Sequence, residues 1–134
     1  MSDTKQTLQI PGARLERIEQ VENEVRLHFS QFHIVQEIEN AFEDSLWTQA
    51  GTLVIRNIEI AGELPQCPCE VRGGDLINNI FTYRDHAPLP VDWSGEVGCS
   101  LHISGSDRVI SITGSAMQLE QLDFPRYLRH IKKT

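Results

Sequence analysis

The sequence is poor in the features from which chemistry is usually read. It has three cysteines, an odd number that argues against a disulfide framework. No stretch approaches the roughly 20 apolar residues of a membrane span. The opening MSDTKQTLQIPG lacks the basic-then-apolar order of a secretory leader. There is no GxSxG elbow, no P-loop, no dinucleotide fingerprint, no HExxH and no Cys-His signature. Catalysis thus has no motif to stand on, and the expectation is a cytoplasmic protein that is not an enzyme, without cofactor or membrane partner. Aromatic residues make up only 7% of the chain, so aliphatic side chains must supply most of the core. Neither an internal repeat nor a low-complexity tract is present.

Positive charge is also scarce. The net charge is −7, and it is unevenly placed. Residues 1–50 hold nine acids against four bases, and residues 51–110 hold eight against four. The last 24 residues reverse this, with Glu120 and Asp123 against Arg126, Arg129, Lys132 and Lys133. Nucleic-acid affinity rests on Lys and Arg displacing counterions from phosphates, so an acidic body disfavours it. A basic protein partner would be steered favourably, although net negative charge also serves simply to keep a small domain soluble.

What is present is alternation. From Val97 to Ser104, Val97, Cys99, Leu101 and Ile103 fall on one face and Gly98, Ser100, His102 and Ser104 on the other. That period of two marks a half-buried strand. Gly105-Ser106-Asp107 supplies a turn, and Ile110 and Ile112 return on one face, followed past Gly114 by Met117 and Leu119. Upstream, Val25, Leu27 and Phe29 alternate with charged or polar neighbours. The parity shifts near Ser30-Gln31, and again between Ile55 and Ile58, each predicting a bulge. Leu8 to Ile10 reads as a strand stopped by Pro11-Gly12, with residues 1–7 frayed. Gly73-Gly74 reads as a turn joining two short strands, and Leu76 to Tyr83 as another strand. Two segments read as short helices: residues 36–45, with Ile38, Ala41 and Phe42 at helical spacing and a strand-connecting acidic loop as the equal alternative, and residues 123–131, with Asp123 as cap. The length fits a single domain, 1–134. The expected fold is mainly β, an antiparallel β-sandwich or partly open barrel with one or two short helices.

Three groups are candidates for function. Residues 84–96 form a long connection carrying Pro88 and Pro90. Tyr83 at its edge, with Arg84, Asp85 and Trp93, has the composition of a contact surface. The competing role for Leu89 and Trp93 is to cover an open end of the fold, and Trp47 poses the same question. Cys67-Pro68-Cys69 presents two thiols that could hold a metal or exchange electrons, but the second half of a zinc framework is missing. His28 and His102 each lie on the polar face of a strand and would matter chemically only if brought together.

From Gly74 onward the chain resembles small, uncharacterised bacterial all-β proteins. The likeness is carried by Gly74-Asp75-Leu76, Pro88-Leu89-Pro90, Gly95-Glu96-Val97, Ile112-Thr113-Gly114 and Pro125-Arg126-Tyr127-Leu128. Some small acidic proteins of that kind neutralise toxins, so the resemblance implies an interaction role and carries over no catalytic residue. The leading expectation is a protein-binding module or a self-associating homodimer meeting its partner through Tyr83, Arg84, Asp85 and Trp93. The alternatives are a small-ligand site lined by His28, His102 and Trp93, and a metal- or thiol-dependent enzyme using Cys67 and Cys69.

Overall fold

Alternating apolar residues become barrel staves here. Val97, Cys99, Leu101 and Ile103 are all buried, as are Ile110, Ile112, Met117 and Leu119 on the returning strand. The computed structural model describes residues 4–39 and 41–132, and its regular structure is entirely β. The ten strands are β1 (Thr4–Val21), β2 (Glu24–Ile38), β3 (Glu43–Arg56), β4 (Glu59–Ala61) and β5 (Cys69–Asn78). They continue as β6 (Phe81–Arg84), β7 (His86–Pro88), β8 (Asp92–Ile103), β9 (Val109–Gln121) and β10 (Arg126–Lys132). Six of them close on themselves in the order β1-β2-β3-β9-β8-β5, every neighbouring pair antiparallel. The fold is therefore a closed barrel, with β4, β6, β7 and β10 attached to its rims. Full closure removes the unpaired edges that a sandwich would leave on these six strands.

The core lies inside the ring and is aliphatic, as the shortage of aromatics requires; Phe32 is the one buried aromatic side chain among the described residues. A residual void of about 30 Å³ remains between Leu8, Ile10, Phe32, Leu53, Leu101 and Leu119. That is the space of a single water in the liquid, and apolar walls keep such a space dry. The buried aliphatic side chains otherwise fill the ring around it.

Closure is local at one seam. β1 meets β5 only at Ala13–Leu15 against Cys69–Val71, after which the two strands splay. β7 pairs with β1 and β6 pairs with β5 beyond that point, and the chain crosses between them at Asp85. Asp85 fastens the fork. Its N–H donates to the Gly74 carbonyl at 2.7 Å and its carbonyl accepts from the Ile10 N–H at 2.8 Å. Its carboxylate accepts from the Gly74 N–H at 3.0 Å. It takes the left-handed conformation, φ 64°, which Asp tolerates better than most residues.

Gly73-Gly74 is not a turn. Both residues lie within β5, and the missing side chains create room: a Cβ on Gly73 would stand 2.6 Å from the Asp85 carboxylate, and one on Gly74 2.2 Å from the Ser100 carbonyl.

Other expectations also change. The described residues of 36–45 are not helical: β2 runs to Ile38 and β3 starts at Glu43, because these residues pair across strands. Residues 126–132 are β10, paired with β3 from Glu43 to Thr48. Asp123 caps no helix; its carboxylate accepts from the Ala50 N–H at 3.0 Å and its carbonyl from the buried Gln49 amide. Pro11-Gly12 does not stop the first strand but forms an irregularity within β1, and residues 4–7 belong to that strand. Residues 1–3 lie outside the described residues. The connection at 84–96 is largely strand, comprising β7 and the start of β8. The bulge expected near Ser30-Gln31 is present, whereas between Ile55 and Ile58 there is no bulge: β3 ends at Arg56, Asn57 is left-handed at φ 57°, and β4 resumes at Glu59 in the same register against β9. Among the described residues there is no helix, and so none long and apolar enough to cross a membrane.

Three substitutions probe the seam and the β5–β8 pairing beside it. Asp85→Ala should lower stability by about 2–3 kcal/mol in urea unfolding, through a lost hydrogen bond and a left-handed alanine. Asp85→Asn keeps an acceptor oxygen and tolerates that backbone, so its loss should be about 1 kcal/mol or less. Gly74→Ala should cost about 2–3 kcal/mol, because backbone atoms must move to admit the methyl.

Candidate partner-binding surface

The β5–β6 hairpin ends in a two-residue turn, Asn79-Ile80, with Asn79 left-handed at φ 58°. Asn79 is tied to the facing bulge of β8 by three hydrogen bonds. Its backbone N–H donates to the Glu96 carbonyl at 2.7 Å, its side-chain amide donates to the Ser94 carbonyl at 2.9 Å, and its side-chain oxygen accepts from the Glu96 N–H at 2.9 Å. Gly95 at the centre of that bulge has φ 111°, and a Cβ there would stand 2.3 Å from the Asn79 oxygen. The clamp fixes the turn, and the turn holds Ile80 and Phe81 in solvent, 90% and 56% exposed.

From Phe81 three rings stand in file. Phe81 stacks on Tyr83 with centroids 6.4 Å apart, and Tyr83 meets Trp93 at 5.6 Å. Tyr83, Leu89 and Trp93 are half-buried against the core, so they close the rim and also back the exposed turn.

The four residues singled out from the sequence therefore divide. Tyr83 and Trp93 come together. Arg84 alternates to the other face of β6, where it pairs with Asp75 at 3.1 Å in an open cleft of about 300 Å³ shared with Arg72 and His102. Asp85 is committed to the barrel seam. Asn79, Ile80 and Gly95 escaped the sequence reading; the visible signal was an Asn followed by two apolar residues between strand patterns.

The histidines do not assemble. β2 and β8 stand on opposite sides of the six-strand ring, so His28 and His102 point away from one another. His28 joins a polar network on the outer wall. Its Nε2–H donates to the Glu19 carboxylate at 3.0 Å, and its Nδ1 accepts from the Thr52 hydroxyl at 3.1 Å. A carboxylate can only accept, which fixes that tautomer. The hydrogen bond from His28 holds the Glu19 carboxyl below the ordinary value, and Arg26 and Arg56 do the same for Glu24. A carboxylate–imidazole–hydroxyl series resembles a nucleophile relay, but Thr52 is 3% exposed on a convex wall. The network serves to bridge three strands.

Cys67 and Cys69 sit at the entrance to β5, half-buried, with their thiols hydrogen-bonded to one another. Burial pushes both thiols up, Cys69 to about 11, its neighbour adding to the effect. Cys99 is buried in the barrel wall and pushed up to about 12. Among the described residues no group of three or more His, Cys, Asp and Glu side chains gathers in a way that could hold a metal. A high pKa means little thiolate at neutral pH, the opposite of an activated cysteine.

Thiol titration with an aromatic disulfide reagent tests this directly. At pH 8 Cys67 and Cys69 should react more slowly than a free cysteine, with the Cys69 rate still rising toward pH 11. Cys99 should react only on unfolding.

No protein-family model, no curated protein and no solved structure matches this chain.

Proposed function

We propose that this chain is a non-enzymatic protein-interaction domain that presents the Ile80-Phe81 turn, backed by Tyr83 and Trp93, to a partner protein in the cytoplasm. One observation carries the reading: two large apolar side chains are held in solvent by a turn that three hydrogen bonds make rigid. Apolar groups fixed in water have no folding advantage there, whereas a pre-ordered aromatic cluster is what binding hot spots are made of. Arg84, exposed on the other face of β6, is a flanking contact rather than part of the apolar patch.

The other readings draw less support. A ligand site lined by His28, His102 and Trp93 would need groups that the barrel holds apart, and the interior leaves space for one water. A thiol enzyme would need an activated cysteine. The outer wall of β1 and β2 carries Glu19, Arg26 and His28, the opposite of the apolar band of a membrane barrel. The resemblance to small bacterial all-β proteins, some of which neutralise toxins, is in keeping with an interaction role and names no partner.

Native mass spectrometry of the protein purified gently from its host's lysate should show a dimer or a stoichiometric protein companion. The Ile80→Ser/Phe81→Ser double variant should weaken that association more than about ten-fold while leaving the urea midpoint unchanged. A bound small organic molecule or metal, or an association indifferent to the double variant, contradicts the reading.

A further inference from the structure

β10 is the clearest second surface. Its inner edge pairs with β3, and among the described residues no strand pairs with its outer edge. Six of its seven residues are exposed. Apolar residues flank it in the preceding turn, with Leu122 63% and Phe124 90% exposed.

The strand has two chemically different faces. Its register against β3 puts Tyr127, His130 and Lys132 on the face of Trp47, Ser45 and Glu43. Arg126 and Arg129 lie on the opposite face with Thr48 and Leu46, the bulge at Leu128 resetting the alternation. On the first face Tyr127 stands edge-on to Trp47 with centroids 5.5 Å apart and bonds to His130. On the second, Arg126 reaches Asp123 at 4.0 Å, and no carboxylate of the described residues lies within ion-pair distance of Arg129. The aromatic face is built, and the cationic face has charge to spare.

Charge then selects the occupant. Residues 126–134 carry four positive charges and no negative one, so the remaining 125 residues hold a net −11 against the chain's −7. Antiparallel pairing with β10 of a second copy would set Arg126 against Lys132 and Arg129 against itself, which repels. The other end of the strand order, β4, offers three residues. Basic residues on an edge normally guard it against indiscriminate pairing; the same residues admit an acidic strand.

We propose that the outer edge of β10 is a strand-addition site for an extended segment of another protein in which acidic and aliphatic side chains alternate, the acids meeting Arg126 and Arg129 and the aliphatics packing beside Tyr127. Main-chain hydrogen bonds supply the pairing and the two faces supply the selectivity. The site is separate from the Ile80-Phe81 turn.

A fluorescent peptide, Ac-Glu-Val-Glu-Val-Glu-Val-Glu-amide, is the probe, titrated against the whole protein by anisotropy. Saturable binding is expected. It should weaken at least about ten-fold in R126E/R129E, whose substituted side chains are exposed, and at about 0.5 M against 0.05 M salt. Two further peptides, N-methylated at alternate amides on one series or the other, separate strand addition from simple charge attraction. One series points at β10 and should abolish binding; the other should leave it intact. The Ile80→Ser/Phe81→Ser variant should bind the peptide normally, so failure here is distinguishable from failure of the first surface. Absence of saturable binding, equal responses to the two methylated series, or dimerisation of the protein that R126E/R129E abolishes would each overturn the proposal.

Discussion

The structure depends on the fork between β1 and β5. A barrel closes only if its first and last staves meet, and here they meet over three residue pairs before parting. Beyond that point closure rests on Asp85, whose backbone and carboxylate hold both strands at once. The bare backbone of Gly73 leaves room for that carboxylate, and Gly74 leaves room for the backbone of β8 on the other side of β5. The left-handed Asp85, Gly73 and the splayed strand ends form one arrangement, and Gly74 seats β5 against β8 beside it.

With the interior given over to aliphatic packing, the exposed apolar and charged groups lie on the outside and the rims. The chain must cross the rim to close the barrel, and in crossing it builds the β5–β6 hairpin, with Tyr83 and Trp93 as its lining and Ile80 and Phe81 as its tip. At another rim β9 gives up its place beside β3 at Gln121, and β10 takes over along the earlier half of β3. Gln49 and Asp123 secure that hand-over through hydrogen bonds to backbone groups. Both exposed surfaces are therefore consequences of how the ring is completed, one apolar and one basic on an acidic body.

Strand patterns with one wet face were legible from the residues alone. The face holding Val97, Cys99, Leu101 and Ile103 and the parity shift at Ser30-Gln31 needed only the period of two. What failed was local evidence for features that long-range pairing decides. Asp123-Phe124-Pro125 has the composition of a helix start, yet Asp123 binds the backbone of Ala50, 73 residues away. Gly73-Gly74 has the composition of a turn, yet it answers the approach of Asp85 and Ser100. Ring closure was likewise invisible, since register between β3 and β9 is fixed by neither strand alone. For the candidate site, residue type sufficed to pick Tyr83 and Trp93. Arg84 and Asp85, adjacent in sequence, were separated by strand alternation and by the fork.

On this structure the fork at Asp85 is part of the globally cooperative barrel. Native-state amide hydrogen exchange, read residue by residue by NMR, tests it most directly. The N–H groups of Ile10, Gly74 and Asp85 should exchange as slowly as those of Leu27 and Ile112 in the barrel wall, through global unfolding. If those three exchange orders of magnitude faster while the wall stays protected, the barrel closes without the fork and the account is wrong.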